Sequence, residues 1–118
     1  MGVRRFLKRL AESDEERLAS ELWSWAASIP GTVRISDAKL RSRVKVAGVV
    51  RRITVRPVEG FEGLEAVIYD GTGELSAMWL GRRSIPGLIL GSHLVIEGVL
   101  GLERGQLRIY NPTFEFAR

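Results

Sequence analysis

The alternation of apolar and polar positions is clearest over residues 62–80, where two alternating runs flank the turn 70–73, Asp-Gly-Thr-Gly. Asp-Gly between alternating runs is the strongest short-range signal for a β-hairpin, because glycine adopts positive φ at no steric cost. We therefore predict a strand over 62–69 and another over 74–80.

Further apolar runs extend the pattern to five strands. The first strand covers 43–55, and the Gly48 within it predicts a bulge or a sharp bend. The fourth and fifth strands cover 92–101 and 106–111. They follow segment 84–91, which we interpret as a turn or half-helix. The order β-β-β-α-β-β is that of the OB-fold, a partly open, five-stranded Greek-key barrel in the all-β class. An SH3-like barrel is the second candidate, and the apolar segment 84–91 favours the OB-fold.

Helical periodicity replaces alternation in the first part of the chain. Ser13 and Glu16 have the spacing of a capping box, which predicts a helix beginning there, and Pro30 and Gly31 predict its end. The basic segment before Ser13 is either a short helix or a disordered arm. The apolar stripe of the helix consists of Leu18, Leu22, Trp25, Ala26 and Ile29.

The length of 118 residues fits one domain with an appendage. We place a helical appendage at residues 1–31 and the OB-fold domain at 32–118. The apolar fraction of 45% suits a packed core. The absence of Cys excludes disulfides, thiolate nucleophiles and Cys-based zinc sites, and a single histidine, His93, excludes a His-rich metal site.

No apolar run approaches the ~18 residues of a membrane span, and the basic N-terminus lacks the apolar core of a signal peptide. We therefore expect a cytoplasmic protein without a membrane partner. A membrane-surface role for the short basic arm is the last-ranked alternative.

Positive charge is concentrated in residues 32–57, which carry eight Lys and Arg against Asp37 alone. Residues 13–31 carry four acidic side chains and one basic. A basic stripe is the expected footprint of a polyanion partner, although a solvated strand face has the same composition.

No catalytic pattern is found. Gly71 and Gly73 lack the third glycine of a dinucleotide fingerprint, because Ser76 stands in its place, and no P-loop or metal-ligand spacing is present. We predict a protein that is not an enzyme and has no cofactor or metal.

A longer motif extends across residues 40–116. It consists of Val46-x-Gly48-x-Val50, Val67-x-x-Asp70-Gly71-Thr72-Gly73-x-Leu75, Trp79, Leu90-Gly91-x-x-Leu94-x-Ile96-x-Gly98-x-Leu100, Gly105 and Asn111-Pro112. This motif resembles the tRNA-anticodon/RecG-wedge class of OB domains, and the whole chain resembles the small stand-alone OB proteins of actinobacteria. The resemblance implies a nucleic-acid-binding protein with a structural 70–73 turn and a base-stacking aromatic near the end of strand three. Leu80 occupies that aromatic site, and Trp79 precedes it. The helicase motor domains are absent, so no helicase activity is implied.

An OB-fold binds through strands two and three and through the loops between strands one and two and between strands four and five. Alternation directs Leu64, Ala66 and Ile68 inward and Tyr69 outward. It directs Trp79 inward, unless a bulge reverses strand three. The predicted nucleic-acid-binding residues are Arg51, Arg52, Arg56, Tyr69, Trp79, Arg82, Arg83, Arg104 and Arg108.

The predicted function is non-catalytic binding of single-stranded or distorted DNA with low sequence specificity, with RNA as a second candidate ligand. Preference for DNA and a setting in DNA repair follow from the resemblance alone. The alternative is a protein-interaction module. Its interfaces are the barrel groove, the aromatic tail with Phe114 and Phe116, or the N-terminal helix, through which a homo-oligomer is expected.

Overall fold

The computed structural model describes residues 2–117, in which one long helix precedes a seven-stranded sheet. The elements are α1 (Val3–Ala27), a short 3-10 helix (Ile35–Asp37), β1 (Arg43–Val58), β2 (Phe61–Tyr69), β3 (Glu74–Leu80), β4 (His93–Val99), β5 (Gly101–Glu103), β6 (Gln106–Tyr110) and β7 (Thr113–Phe116). No helix among these residues has the length and hydropathy that a membrane crossing requires.

The sheet has the strand order β5-β6-β3-β2-β1-β4-β7, which gives the OB-fold that the sequence predicts. The β3–β6 pair is parallel and the other pairs are antiparallel. The long β1 serves both halves, since residues 43–49 pair with β4 and residues 49–58 pair with β2. Its bulge lies at Arg51, between Val50 and Arg52, rather than at Gly48. Gly48 instead permits a close approach, because a Cβ there would lie 2.7 Å from the Tyr69 carbonyl oxygen.

The core is enclosed by the inward faces of the strands. Leu64, Ala66 and Ile68 are buried, as alternation predicts. The outward face of β2 is buried too, since Glu65 and Val67 are 7% and 1% exposed. Strict alternation did not anticipate this second buried face.

The hairpin turn 70–73 is held by the buried Asp70. Its Oδ1 accepts hydrogen bonds from the backbone N–H groups of Thr72 (2.8 Å) and Gly73 (3.1 Å), and its Oδ2 accepts from the Ile35 N–H (2.9 Å). One carboxylate therefore shapes the turn and ties the 3-10 helix to it, which gives the turn a structural role.

Segment 84–91 forms successive turns, which confirms the first of its two predicted alternatives. The α element of the predicted β-β-β-α-β-β order is therefore absent from residues 84–91. The Leu88 N–H donates to the Ile85 carbonyl, and the Ser92 N–H donates to the Ile89 carbonyl. Gly87 and Gly91 have φ of 86° and 87°, which stops a helix from propagating. The prediction also lacked β5 and β7.

Helix α1 is continuous from Val3 and has no side-chain N-cap, so the predicted start at Ser13 is wrong. Ser13 and Glu16 lie inside the helix, because the Arg-, Leu- and Lys-rich segment before them consists of strong helix formers. The basic segment is therefore the first part of one long helix.

Only the second half of α1 packs against the sheet. Ala26 is buried against Ala47 and Val95, with partly buried Trp23, Trp25 and Ile29 around them. Near the middle of the helix, the Ala19 carbonyl reaches the hairpin turn, where a Cβ on Gly71 would lie 2.1 Å from its oxygen. Residues 2–18 are exposed, including Leu18 of the predicted stripe.

Candidate nucleic-acid interface

A groove of about 900 Å³ runs over the outward face of the sheet. The registers Glu65↔Met78 and Ser76↔Arg108 place these side chains on one face and form its floor. The end of β1 forms one rim, and the β5–β6 turn forms the other. The lining residues are Arg52, Arg56, Pro57, Val58, Glu59, Glu65, Met78, Leu80, Glu103, Arg104, Gln106, Arg108 and Tyr110.

Glu65 is a buried carboxylate at the centre of the floor. Its Oε2 accepts hydrogen bonds from Ser76 Oγ (2.6 Å), Arg108 Nη2 (2.8 Å) and Arg56 Nη2 (3.3 Å). A buried charge is tolerated only when it is paired and hydrogen-bonded. The Glu65 charge is therefore compensated by Arg108 and Arg56.

Arg108 is buried in the same network, with a side chain 9% exposed. Besides Glu65 it pairs with Glu103 (Nη1 to Oε1, 3.1 Å), and its Nε donates to Ser76 Oγ (3.2 Å). Its charge is already shared between two carboxylates. Although Arg108 lies in the predicted groove, its contacts give it a structural role.

The arginines of the rim are more exposed than Arg108 and less involved in ion pairs. Arg52 and Arg104 are exposed, and neither forms an ion pair with any residue in 2–117. Arg104 lies at the tip of the β5–β6 turn with φ of 52°. Arg56 is intermediate, because its side chain is 42% exposed while it contacts Glu65. These three cations line one groove and have guanidinium surface available to a ligand.

Tyr110 brings an aromatic ring to the groove that the predicted site did not include. It is 43% exposed, and its hydroxyl donates a hydrogen bond to Glu103. That hydrogen bond lowers the pKa of Glu103 and raises the pKa of Tyr110 above its ordinary value. The signal was present in the sequence, since Tyr110 is two positions from Arg108 and shares its strand face.

Phe61 is the second aromatic residue that the prediction missed. It begins β2, pairs with Val58 at the end of β1 and is 65% exposed. Because strand side chains alternate, Phe61 is on the same strand face as Glu65. Phe61 is not among the lining residues, but its partner Val58 is, so the exposed ring lies at the edge of the groove, where it is suited to stacking.

Arg51 and Tyr69 lie outside the groove lining. The Arg51 guanidinium is 3.5 Å from the Tyr69 ring centroid, and its Nη1 is 3.5 Å from Glu74 Oε1. Both residues line a separate cleft between the sheet and α1, with Leu18 and Leu22. The bulge at Arg51 shifts the alternation of β1 by one residue, so Arg52 and Arg56 lie on the outward face with Glu65.

Arg82 and Arg83 follow β3 and are exposed, but neither lines the groove. Arg83 forms an exposed ion pair with Glu62, with 3.3 Å between Nε and Oε2. Exposed pairs of this kind contribute little because solvent screens them.

Trp79 is a core residue, 5% exposed, as strict alternation predicts. Its indole N–H donates to the Pro112 carbonyl (3.1 Å), and its ring packs edge-to-face on Phe114. The alternative orientation, in which Trp79 stacks on bases, is therefore corrected. Strand β3 pairs with β2 in continuous register, without the bulge that this orientation required.

Three solved structures have the same fold at low sequence identity. RecG bound to a three-way DNA junction matches with a TM-score of 0.64 at 16% identity, covering 74% of this chain and 13% of RecG. A replication protein A heterotrimer bound to single-stranded DNA matches with a TM-score of 0.53 at 16% identity, covering 76% of this chain and 68% of that one.

The third structure is the solution structure of an OB domain from Thermoplasma acidophilum. It has a TM-score of 0.59 at 19% identity, covering 74% of this chain and 87% of that domain. No protein-family model and no curated protein matches the sequence. The similarity therefore establishes the OB-fold for this chain, as the topology does independently.

Proposed function

We propose that this protein binds single-stranded nucleic acid in the groove, with little sequence preference and without catalysis. One observation carries the proposal: Arg52, Arg56 and Arg104 line both rims of a groove in which Glu65 and Glu103 are paired with Arg108. The function is the one that the sequence predicts, with Phe61 and Tyr110 in place of Trp79 and Tyr69 as the stacking residues.

The rim supplies the electrostatic attraction. A phosphate backbone running along the groove meets Arg52 and Arg56 on one rim and Arg104 on the other. Glu65 and Glu103 are paired with Arg108, so they repel phosphates less than free carboxylates would. Glu59, the third acidic residue of the lining, is exposed and has no ion pair among residues 2–117, so it opposes this attraction. Affinity then depends on counterion release, which makes it sensitive to salt.

The bases are held by stacking. Tyr110 and Phe61 offer exposed rings, and every base has a π-face, so stacking tolerates any sequence. A duplex keeps its bases stacked inside the helix and cannot use these rings. We therefore infer a preference for single strands or for distorted DNA with unpaired bases.

DNA is the first ligand to test, because the RecG and replication protein A structures are DNA complexes of the same fold. These neighbours and the wedge-like motif support a setting in DNA repair as a hypothesis. RNA is the second candidate ligand, since phosphates and base faces are common to both polymers.

The test is a titration, by fluorescence anisotropy, of labelled single-stranded DNA, duplex DNA and single-stranded RNA of equal length. We expect the single strands to bind more tightly than the duplex. A double variant, Arg52→Ala with Arg104→Ala, should lose most of the affinity, and Arg17→Ala, which removes one exposed arginine from α1, should retain it. Equal binding by the double variant and the Arg17→Ala control would refute the groove as the site.

A further inference from the structure

The first half of α1 has an apolar face that no other part of residues 2–117 covers. Residues 2–18 are exposed, and five large apolar side chains among them are between 48% and 73% exposed. The five residues are Val3, Phe6, Leu7, Leu10 and Leu18. Their three-, four- and eight-residue spacings put them on one side of the helix. An exposed stripe of this kind marks an interaction surface.

The charges of the same half are segregated along the helix. Residues 2–11 carry four basic side chains and no acidic one, whereas residues 12–21 carry five acidic and one basic. The basic segment lies at the positive end of the helix dipole, where cations are unfavourable. In an antiparallel pair of such helices, the basic segment of each lies beside the acidic segment of the other. Parallel pairing would place like charges together.

A cleft of about 570 Å³ continues the apolar stripe towards the sheet. It lies between α1 and the strands and is lined by Leu18, Leu22, Val49 and Tyr69, with Glu15, Arg51 and His93 at its polar positions. The Arg51 charge is paired with Glu74, and its guanidinium lies on the Tyr69 ring. It therefore offers apolar side chains a place to pack beside an acidic residue of the helix. The first turns of a second α1, which are apolar and basic, have the matching chemistry.

We propose that two copies of this chain associate through antiparallel α1 helices related by a two-fold axis near Leu10. The first turns of each helix then reach Leu18 and the adjoining cleft of the other copy. Such a contact is isologous and closed, so it gives a dimer and not a fibre. The occupant is a second copy because this chain carries both complementary charge segments. The dimer is independent of whether the groove binds nucleic acid.

The first test is the solution mass by sedimentation equilibrium at low salt. We expect twice the mass of one chain for the wild type and a monomer for Leu10→Asp, whose dissociation constant should rise about tenfold or more. Ser20→Asp adds the same charge at another exposed helix position and should remain dimeric. Circular dichroism shows whether each variant is folded.

A charge swap keeps the proposal testable if Leu10→Asp fails to fold. Reversing Arg4, Arg5, Lys8 and Arg9 to Glu should give a monomer, as should reversing Glu12, Asp14, Glu15 and Glu16 to Lys. Mixing the two variants should restore a heterodimer. A monomeric wild type refutes the proposal, including the case in which that monomer binds anionic vesicles or DNA through α1.

Orientation is tested by disulfide trapping, since the natural chain contains no Cys. When Val3→Cys and Leu18→Cys variants are mixed under oxidation, antiparallel helices should yield the mixed disulfide. Formation of only the two homodisulfides would refute the antiparallel arrangement.

Discussion

The floor and the rim of the groove each contain an arginine, but the one on the floor is buried and paired and the one on the rim is exposed and unpaired within residues 2–117. Arg108, on the floor, is 9% exposed at its side chain and pairs with Glu65 and Glu103, whereas Arg104, on the rim, is exposed and has no ion pair within residues 2–117. Burial requires a cation to be paired, and exposure leaves it available to a ligand. The comparison shows that a count of arginines near a groove overstates the positive charge available to a polyanion.

The aromatic residues divide in the same way. Trp79, in β3, is buried, and its indole N–H donates to a carbonyl. Phe61, the first residue of β2, is 65% exposed. A ring that is packed on both faces cannot stack on a base. Substitution of a buried aromatic residue should therefore affect folding, and substitution of an exposed one should affect binding.

The largest expected effect is on stability at Trp79. Trp79→Ala empties a large core site and removes a buried hydrogen bond, so it should lower the free energy of unfolding by about 3–5 kcal/mol. Urea denaturation followed by circular dichroism measures this change. Phe61→Ala is the matched exposed aromatic and should change stability by less than about 0.5 kcal/mol.

A stable but non-binding Trp79→Ala variant would change the role assigned to Trp79. If Trp79→Ala unfolds at the wild-type urea concentration and loses affinity for single strands, the ring stacks on bases and the division of the aromatics is wrong.

The second effect compares two arginines. Arg108→Ala leaves Glu65 buried with only Arg56 as a cationic partner, so it should cost about 3 kcal/mol of stability. Arg104→Ala should leave stability nearly unchanged, within about 0.5 kcal/mol, and weaken binding. Unfolding and binding measured on both variants provide the check. Equal melting of the two variants would show that the floor network is dispensable.

A smaller effect is expected for stacking. Phe61→Ala should weaken binding to single-stranded DNA by about 1–3 kcal/mol, the usual range for one stacked base. Tyr69→Ala is the control, because Tyr69 lines the helix-side cleft and not the groove. If Tyr69→Ala loses affinity while Phe61→Ala does not, Tyr69 contacts the ligand, as the sequence predicts, and the ligand lies in the cleft and not in the groove.

The smallest effect is a pH dependence at Glu103. Its folded-state pKa lies below the ordinary value of 4.5, because Tyr110 donates a hydrogen bond to it and Arg108 is adjacent. Its contribution to stability is therefore fully present above pH 4.5 and is lost as the pH falls through the folded-state pKa. The side chain is 46% exposed, so solvent screening keeps the contribution small.

Thermal unfolding at a series of pH values would measure this dependence. Glu103→Gln should melt at a lower temperature than the wild type at pH 7 and should approach it below the folded-state pKa. A constant difference across this range would contradict the assigned role of the carboxylate.

Local signals account for the parts of the fold that the sequence predicted. Strand β3 has the predicted bounds of 74–80 because alternation and the turn 70–73 are adjacent in the chain. The short edge strands β5 and β7 have three and four residues, too few for a period to appear. The capping-box pattern at Ser13 was overridden by the strong helix formers before it.

The candidate site also contains features that local sequence predicts and features that only long-range pairing determines. Of the predicted basic residues, Arg52, Arg56 and Arg104 line one groove, whereas Arg51, Arg82 and Arg83 do not. Pairing of Arg108 with Glu65 depends on the parallel β3–β6 register and on contacts 43 residues apart, which no local pattern reveals. The bulge at Arg51, which brings Arg52 and Arg56 to the outward face, likewise has no glycine at its position.

The salt dependence of single-strand binding tests the central claim most directly. Each phosphate contact in a single strand contributes a slope of about −0.7 to the logarithm of affinity against the logarithm of salt concentration. If Arg52, Arg56 and Arg104 each contact one phosphate, the wild type should give a slope of about −2, and Arg104→Ala should reduce its magnitude by about 0.7. No binding at low salt, or a slope of zero, would contradict the proposal that this groove binds nucleic acid.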